Sequence, residues 1–388
     1  MKIADIEAHW ISVPIPTHTQ WRSDYGRLTH FDMCLVKVIT TDGRVGLGEA
    51  KAAVGASGSC ASIVACIEHE LKPRLIGMSV HHISRIWEVC YNGSRDHYAL
   101  SRGRTFPILA NRGTTISAMS GIDLALWDLK GQDLDTAVVD LLGGPCRDEM
   151  EAYASGGWAD VDHIGEQVSG YVAQGYKGVK MRVGSMDDTV DASIARVKAA
   201  REALGPDIKI MTDAHGTFSV PEAKRYCRAL EESNLYWFEE PISPDNKVGT
   251  AEVRQCTSIP IAAGESEYTR FDFVELIQHR AVDILQPDPA ICGGITESMK
   301  IAALAGSYQL ALAPHCWGSI ISFVAGANVA FASPSAVIIE FSLGGNPLMY
   351  ELCKERPEVE DGLIKTPVGP GWGLTLNEDF VKEFGKKI

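Results

Sequence analysis

Three short stretches, Ile208-Lys209-Ile210-Met211-Thr212-Asp213, Tyr236-Trp237-Phe238-Glu239 and Ile261-Ala262-Ala263-Gly264-Glu265, share one pattern: a brief apolar run that stops at a carboxylate. Their acids lie 26 residues apart each time, about the length of one strand, one helix and their connections. Working outward, runs of the same kind occur at Glu151–Ala154, Gly178–Met181, Ile284–Gln286, Leu310–Ala313 and Val337–Ile339. Stretches of helical length and periodicity, such as Asp187–Leu204, Val220–Glu232 and Ile295–Tyr308, alternate with them. Eight strands separated by helices predict a closed parallel barrel. No G-x-G-x-x-G opens a helix, which argues against a doubly wound sheet.

A barrel delivers its strand-end residues to one face, the C-terminal one. Asp288 follows the sixth run, His315 ends the seventh and Glu340 ends the eighth. A lone acid at a strand end ordinarily caps a helix or closes a loop salt bridge. Capping does not select Glu three times, so the series reads as a functional constellation. Asp213, Glu239 and Glu265 on adjacent strands make a hard, oxygen-only site suited to Mg²⁺. A zinc hydrolase lacks support, since neither H-x-H nor H-E-x-x-H occurs.

The N-terminal part reads differently. Phe31–Thr41 meets Arg44–Glu49 across Asp42-Gly43, a strong hairpin signal. Helical patterns follow at Cys60–Leu71, stopped by Pro73, at His82–Tyr91, and at Thr115–Gly131, ending on Gly131. The expected organisation is an α+β capping domain over 1–145, a modified (β/α)₇β TIM-like barrel over 146–350, and a segment 351–388 that returns to the cap.

The formal charge of −14 argues against nucleic acid or an anionic membrane as partner, and leaves a small acidic substrate open. Ten scattered cysteines without a Cys-x-x-Cys pair read as free thiols in a reducing compartment. Met1–Glu7 lacks the apolar run of a signal peptide, so a cytoplasmic location is expected. Cys316–Ile339 carries no charge but is rich in Gly and Ala, and reads as an interior helix and strand instead of a membrane span. A homo-oligomer is expected.

With Asp213-Ala214-His215, Trp237-Phe238-Glu239-Glu240-Pro241, Gly264-Glu265, Gln286-Pro287-Asp288, Gly293-Gly294-Ile295-Thr296, Ala313-Pro314-His315 and the helix Gly121–Asp128, the chain resembles the mandelate racemase subgroup of the enolase superfamily over essentially its whole length. The resemblance implies Mg²⁺ on Asp213, Glu239 and Glu265, an Asp288–His315 dyad, and Glu340 beside the substrate carboxylate. Two departures stand out. Lys180-Met181-Arg182 replaces the usual Lys-x-Lys, and Arg is a poor proton acceptor but a good carboxylate clamp. Asp213-x-His215 replaces Asp-x-Asn, which looks more like galactonate dehydratases, whose third-strand His is the general acid and seventh-strand His the base.

That resemblance implies removal of the proton α to a carboxylate, with a Lys or His base beside Mg²⁺, followed by dehydration of a sugar acid. The expected roles are His315 as base steadied by Asp288, His215 as acid, and Lys180 with Arg182 on the substrate carboxylate. Glu340, if protonated, would hydrogen-bond that carboxylate. Alternatives stay open: Lys180 as the base, His215 as a residue steering Asp213, Arg182 as a salt bridge to Asp213 or Glu239. His18, Trp21, Arg22, Asp24 and Tyr25 form a polar-aromatic cluster expected to read substrate hydroxyls, and Ala53–Ser59 reads as a lid loop. The rival functions are racemisation, epimerisation or cycloisomerisation through the same chemistry, and a non-catalytic binding protein on the same fold.

Overall fold

The computed structural model describes residues 1–388 except 25, 53–57, 95, 96, 99, 105–108, 387 and 388. The cap is an antiparallel sheet of β1 (Ile3–Pro14), β2 (His30–Thr40) and β3 (Val45–Ala50), with helices α1 (Ile83–Asn92) and α2 (Thr114–Leu134). The β2–β3 hairpin pairs Ile39 with Val45 across the expected turn. Strand β3 reads Val-Gly-Leu-Gly-Glu-Ala, and its glycines let α2 lie directly on the sheet. A Cβ on Gly48 would stand 1.9 Å from the Gly121 carbonyl oxygen.

The barrel strands are β4 (Glu149–Gly157), β5 (Gly178–Arg182), β6 (Lys209–Asp213), β7 (Leu235–Glu239), β8 (Ile261–Ala263), β9 (Ile284–Leu285), β10 (Ala311–Leu312) and β11 (Ile339–Ser342). They pair in parallel, neighbour to neighbour, and β11 returns beside β4. The β10–β11 seam closes through a parallel bridge between Leu312 and Ala336. Between successive strands run α3 (Ile164–Val172), α4 (Val190–Leu204), α5 (Val220–Leu230), α6 (Lys247–Arg254), α7 (Thr269–Gln278), α8 (Gly294–Ser307) and α9 (Ile320–Ala332). Seven helices between eight strands is the (β/α)₇β arrangement. Tyr153, Met211, Trp237, Ala262, Ile284, Ala313 and Ile338 fill the interior as one buried cluster. The uncharged stretch is the buried helix α9 and the approach to β11, and among the described residues no helix is long and apolar enough to cross a membrane.

Several sequence boundaries are corrected. Pro73 does not stop the first cap helix, because a π-turn over Cys66–Leu71 leads into Lys72–Leu75. Proline there sits in a first turn that needs no N–H from it. Helix α2 runs past Gly131 to Leu134 and is capped by Asp135 in the left-handed conformation, φ 51°. Gly131 instead gives passage to the C-terminal segment, since a Cβ on it would lie 2.5 Å from the Gly371 Cα. Strand β11 starts two residues later than the apolar run, so Glu340 lies within it. Val337 sits before the strand and is 41% exposed.

The C-terminal segment returns to the cap through α10 (Glu378–Phe384) and β12 (Gly385–Lys386), which pairs with β1. Its anchor is the buried Asp128 on α2, which accepts N–H bonds from Leu47 (2.8 Å) and Trp372 (2.9 Å) and from the Gln132 side chain (3.0 Å). One carboxylate thereby joins β3, α2 and the tail. Burial pushes it up to about 6, against the pull of those donors. Asp128→Ala is expected to cost about 2–4 kcal/mol, because it leaves buried donors without an acceptor. As the folded carboxyl binds its proton more tightly than the unfolded one, its contribution is fullest below about pH 4 and lost as pH rises through about 6. Urea midpoints of wild type and variant should therefore differ most near pH 4 and converge at higher pH.

Candidate active site

The three predicted ligand carboxylates come together. Asp213 and Glu239 end adjacent strands in register, Glu265 follows β8, and their oxygens lie within 4.8 Å of one another. All three are buried. Glu239 Oε2 is fixed by the Trp237 indole N–H (2.9 Å) and the Gln286 amide (2.8 Å), which turns Oε1 toward Lys180. Burial, then the neighbouring carboxylates, push the Glu239 carboxyl up to about 7 despite Lys180. A divalent cation would relieve that repulsion, and an oxygen-only donor set fits a hard ion such as Mg²⁺. A second trio, His215, Glu240 and Glu265, also converges, but its nitrogen donor suits a softer ion.

Two imidazoles face the same ligand. His315 Nδ1 bonds Asp288 Oδ2 at 2.6 Å, and its Nε2 lies 3.4 Å from Glu265 Oε2. His215 Nδ1 bonds Asp24 of the cap at 2.8 Å, and its Nε2 lies 3.3 Å from Glu265 Oε1. His215 adopts φ 49°, rare for a side chain with a Cβ, while its backbone N–H bonds Asp213 Oδ1 (2.9 Å). Burial disfavours its charged form, but Asp24 and Glu265 outweigh burial and hold it up to about 10. His315 is raised too, by Glu265 and Glu340 against burial. Positive charge among the ligands would weaken that field.

Lys180 bonds Glu239 at 2.6 Å and Glu340 at 2.9 Å, with Asp213 at 3.8 Å. Glu340 accepts from Lys180 and from the Cys316 N–H. Lys180, His315 and the Cys316 N–H overcome burial and hold its carboxyl low, which favours the anion over the protonated form. Arg182 lies against both oxygens of Asp213 at 3.3 Å, with Asp24 at 3.9 Å. This is the salt bridge weighed as its alternative role.

The cap contributes differently from the sequence expectation. Trp21 and Asp24 line the pocket, whereas His18 and Arg22 are exposed outside it. The loop there is a short hairpin in which Arg22 pairs with Arg27 and points to solvent. Tyr25, and the lid loop at 53–57, lie outside the described residues. Trp21 stacks on Trp158 (4.7 Å between centroids), and Trp317 meets both edge-on. These rings, with Leu28 and Ile291, are the large apolar side chains that line the pocket beside the charged groups. Sequence reasoning missed Trp158, Trp317 and Lys51. Trp158 and Lys51 directly follow a strand and Trp317 lies five residues beyond one, each in no local motif.

With this geometry, the comparisons with known proteins agree. Residues 6–143 match the mandelate racemase / muconate lactonizing enzyme N-terminal domain, and residues 163–380 match the enolase C-terminal domain-like family. A D-galactarolactone cycloisomerase of Agrobacterium fabrum is 32% identical over 99% of each chain. A D-galactonate dehydratase of Ralstonia pickettii is 35% identical over 91% of each. A racemase of Streptomyces coelicolor, solved with bound magnesium, superposes with a TM-score of 0.85 at 28% identity, covering 99% of this chain and 100% of its own. The chain belongs to the mandelate racemase / muconate lactonizing family of the enolase superfamily, and it is an enzyme.

Titration with MgCl₂ in a calorimeter should show one saturable site in the wild type. Glu239→Ala should lose it while keeping the far-ultraviolet circular dichroism of the fold. Undiminished binding in that variant would place the ion elsewhere.

Proposed function

We propose that this enzyme is a Mg²⁺-dependent hydro-lyase that converts a sugar acid to a 2-keto-3-deoxy acid. The observation that carries the reading is the pair of imidazoles, one to each oxygen of Glu265, each held through Nδ1 by a buried carboxylate. Dehydration needs a base for the α-proton and an acid for the leaving oxygen, and two such histidines supply both. Mg²⁺ held by Asp213, Glu239 and Glu265 supplies the Lewis acidity that makes the α-proton removable.

His315 Nε2 takes the proton from Cα, with its ring fixed by Asp288. The electron pair forms the Cα–Cβ double bond as the bond to the β-hydroxyl breaks. His215, held at Nδ1 by Asp24, gives a proton to that oxygen, which leaves as water. The enol then tautomerises to the keto acid. Lys180 holds the substrate carboxylate, and Arg182 fixes Asp213. Sugar acid chemistry agrees with the names of the relatives, among which dehydratases recur.

The tryptophan wall refines the substrate. Among the described residues, the lysines and arginine that line the pocket, Lys51, Lys180 and Arg182, are each already paired with a carboxylate, which leaves no further one for a second substrate carboxylate. An aldonate is thus favoured over an aldarate. The same flat wall suits a ring face, and it favours a second reading, cycloisomerisation of a lactone, which shares the first proton transfer.

A panel of aldonates, aldarates and lactones should give an α-keto acid from an aldonate, with kcat/KM for the corresponding aldarate lower by about tenfold or more, since an unpaired buried carboxylate costs at least ~1–3 kcal/mol. A ring-opened or epimeric sole product would sink the dehydratase reading. His315→Asn should abolish α-deuterium exchange in D₂O. His215→Asn should keep exchange but lose water elimination by roughly 10²–10⁴-fold, the usual worth of one general acid. If the two variants exchange these phenotypes, the roles are reversed.

A further inference from the structure

Directly after β3, the cap chain enters the barrel mouth at Lys51, which is 4% exposed. Its ammonium lies 2.7 Å from Asp288 Oδ2, the same oxygen that bonds His315 Nδ1 at 2.6 Å. It also donates to the Trp317 carbonyl, and its backbone N–H reaches the Ala290 carbonyl at 3.4 Å. The other oxygen of Asp288 takes the Ala290 N–H at 2.8 Å. One residue of the cap therefore grips both loops that carry the dyad: Asp288–Ala290 after β9, and His315–Trp317 after β10.

We infer that Lys51 is a positioning residue, which holds the Asp288 carboxylate and hence the His315 ring in the geometry for proton removal. The inference rests on the reading of His315 as base. Without Lys51, the Ala290 N–H would still hold one oxygen of Asp288, but the oxygen that meets the imidazole would have no second contact to fix its direction. Catalytic groups need placement to within about half an ångström, which calls for a supporting contact. Lys51 is suited to this because its charge also answers the buried carboxylate, which an uncharged donor would leave less well neutralised. Glu49, two residues earlier, secures the same strand end by accepting from the Ser319 hydroxyl (2.5 Å) and the Ser322 N–H (3.1 Å). The strand that presents Lys51 is thus itself anchored on the barrel.

The first test needs no ligand. In proton NMR of the whole protein, the His315 Nδ1–H is identified as the low-field signal missing from His315→Asn. In Lys51→Met it is expected to shift and broaden. An unchanged signal overturns the inference, and Lys51→Gln serves if the Met variant does not fold.

The second test uses the aldonate with the highest turnover in the panel. Lys51→Met is expected to lower kcat roughly 10–100-fold, as loss of such a supporting partner does, with KM and Mg²⁺ affinity little changed. Ethylamine should restore part of the rate in Lys51→Ala. A raised KM with kcat intact would make Lys51 a substrate contact instead. Lost thermal stability with kcat intact would make it only a clasp between cap and barrel. Either result overturns the inference. If no acid is turned over by the wild type, the proposed function fails while the NMR result still decides the role of Lys51.

Discussion

Repulsion among buried carboxylates governs the mouth of this barrel. Asp213, Glu239, Glu240, Glu265, Asp288 and Glu340 are all buried there. Unpaired charges in such a place cost several kcal/mol each, so every cation nearby is drawn into the cluster. Lys180 lies against Glu239 and Glu340, Arg182 against Asp213, Lys51 against Asp288, and the histidines against Glu265. The carboxylates that still repel are those of Glu239 and its neighbours, where a divalent ion is the remaining answer. Metal affinity and proton placement are two outcomes of the same surplus of negative charge.

The cap is part of that balance and not merely a cover. It contributes Asp24 to one imidazole and Lys51 to the carboxylate behind the other, so each histidine is tied to the cap. The seating of the cap is specified by polar contacts away from the site. Asp123 on α2 accepts the Thr296 N–H at the start of α8 (3.0 Å), and the Ser120 hydroxyl accepts the Gly293 N–H (2.8 Å). Trp87 on α1 donates to the Gly293 carbonyl (3.0 Å). Misplacement of α2 would therefore reach the site through β3, which packs on α2 and leads directly into Lys51.

The barrel and its strand order are legible in local sequence pattern. Alternation of short apolar runs with helical stretches is a local property, and the side chain at a strand end is carried to one face by geometry alone. For that reason Asp213, Glu239, Glu265, Asp288 and His315 were legible as a set before any coordinates. Asp42-Gly43 marked the cap hairpin for a similarly local reason, since its turn demands residues tolerant of positive φ.

What the tertiary structure decided are the partnerships. Arg182 reads as a carboxylate clamp in isolation, yet it turns to Asp213 because that buried anion is within reach and in register on the next strand. Glu340 cannot be assigned a proton from its neighbours in sequence, because Lys180 and His315 that ionise it come from strands 160 and 25 residues away. His18 and Arg22 looked like substrate readers, but the turn over Thr17–Thr19 and the hairpin after it leave them exposed, while Trp21 and Asp24 line the pocket. Lys51 carries no motif at all. Its meaning comes only from a long-range approach between two parts of the chain, the kind of contact that no local pattern encodes.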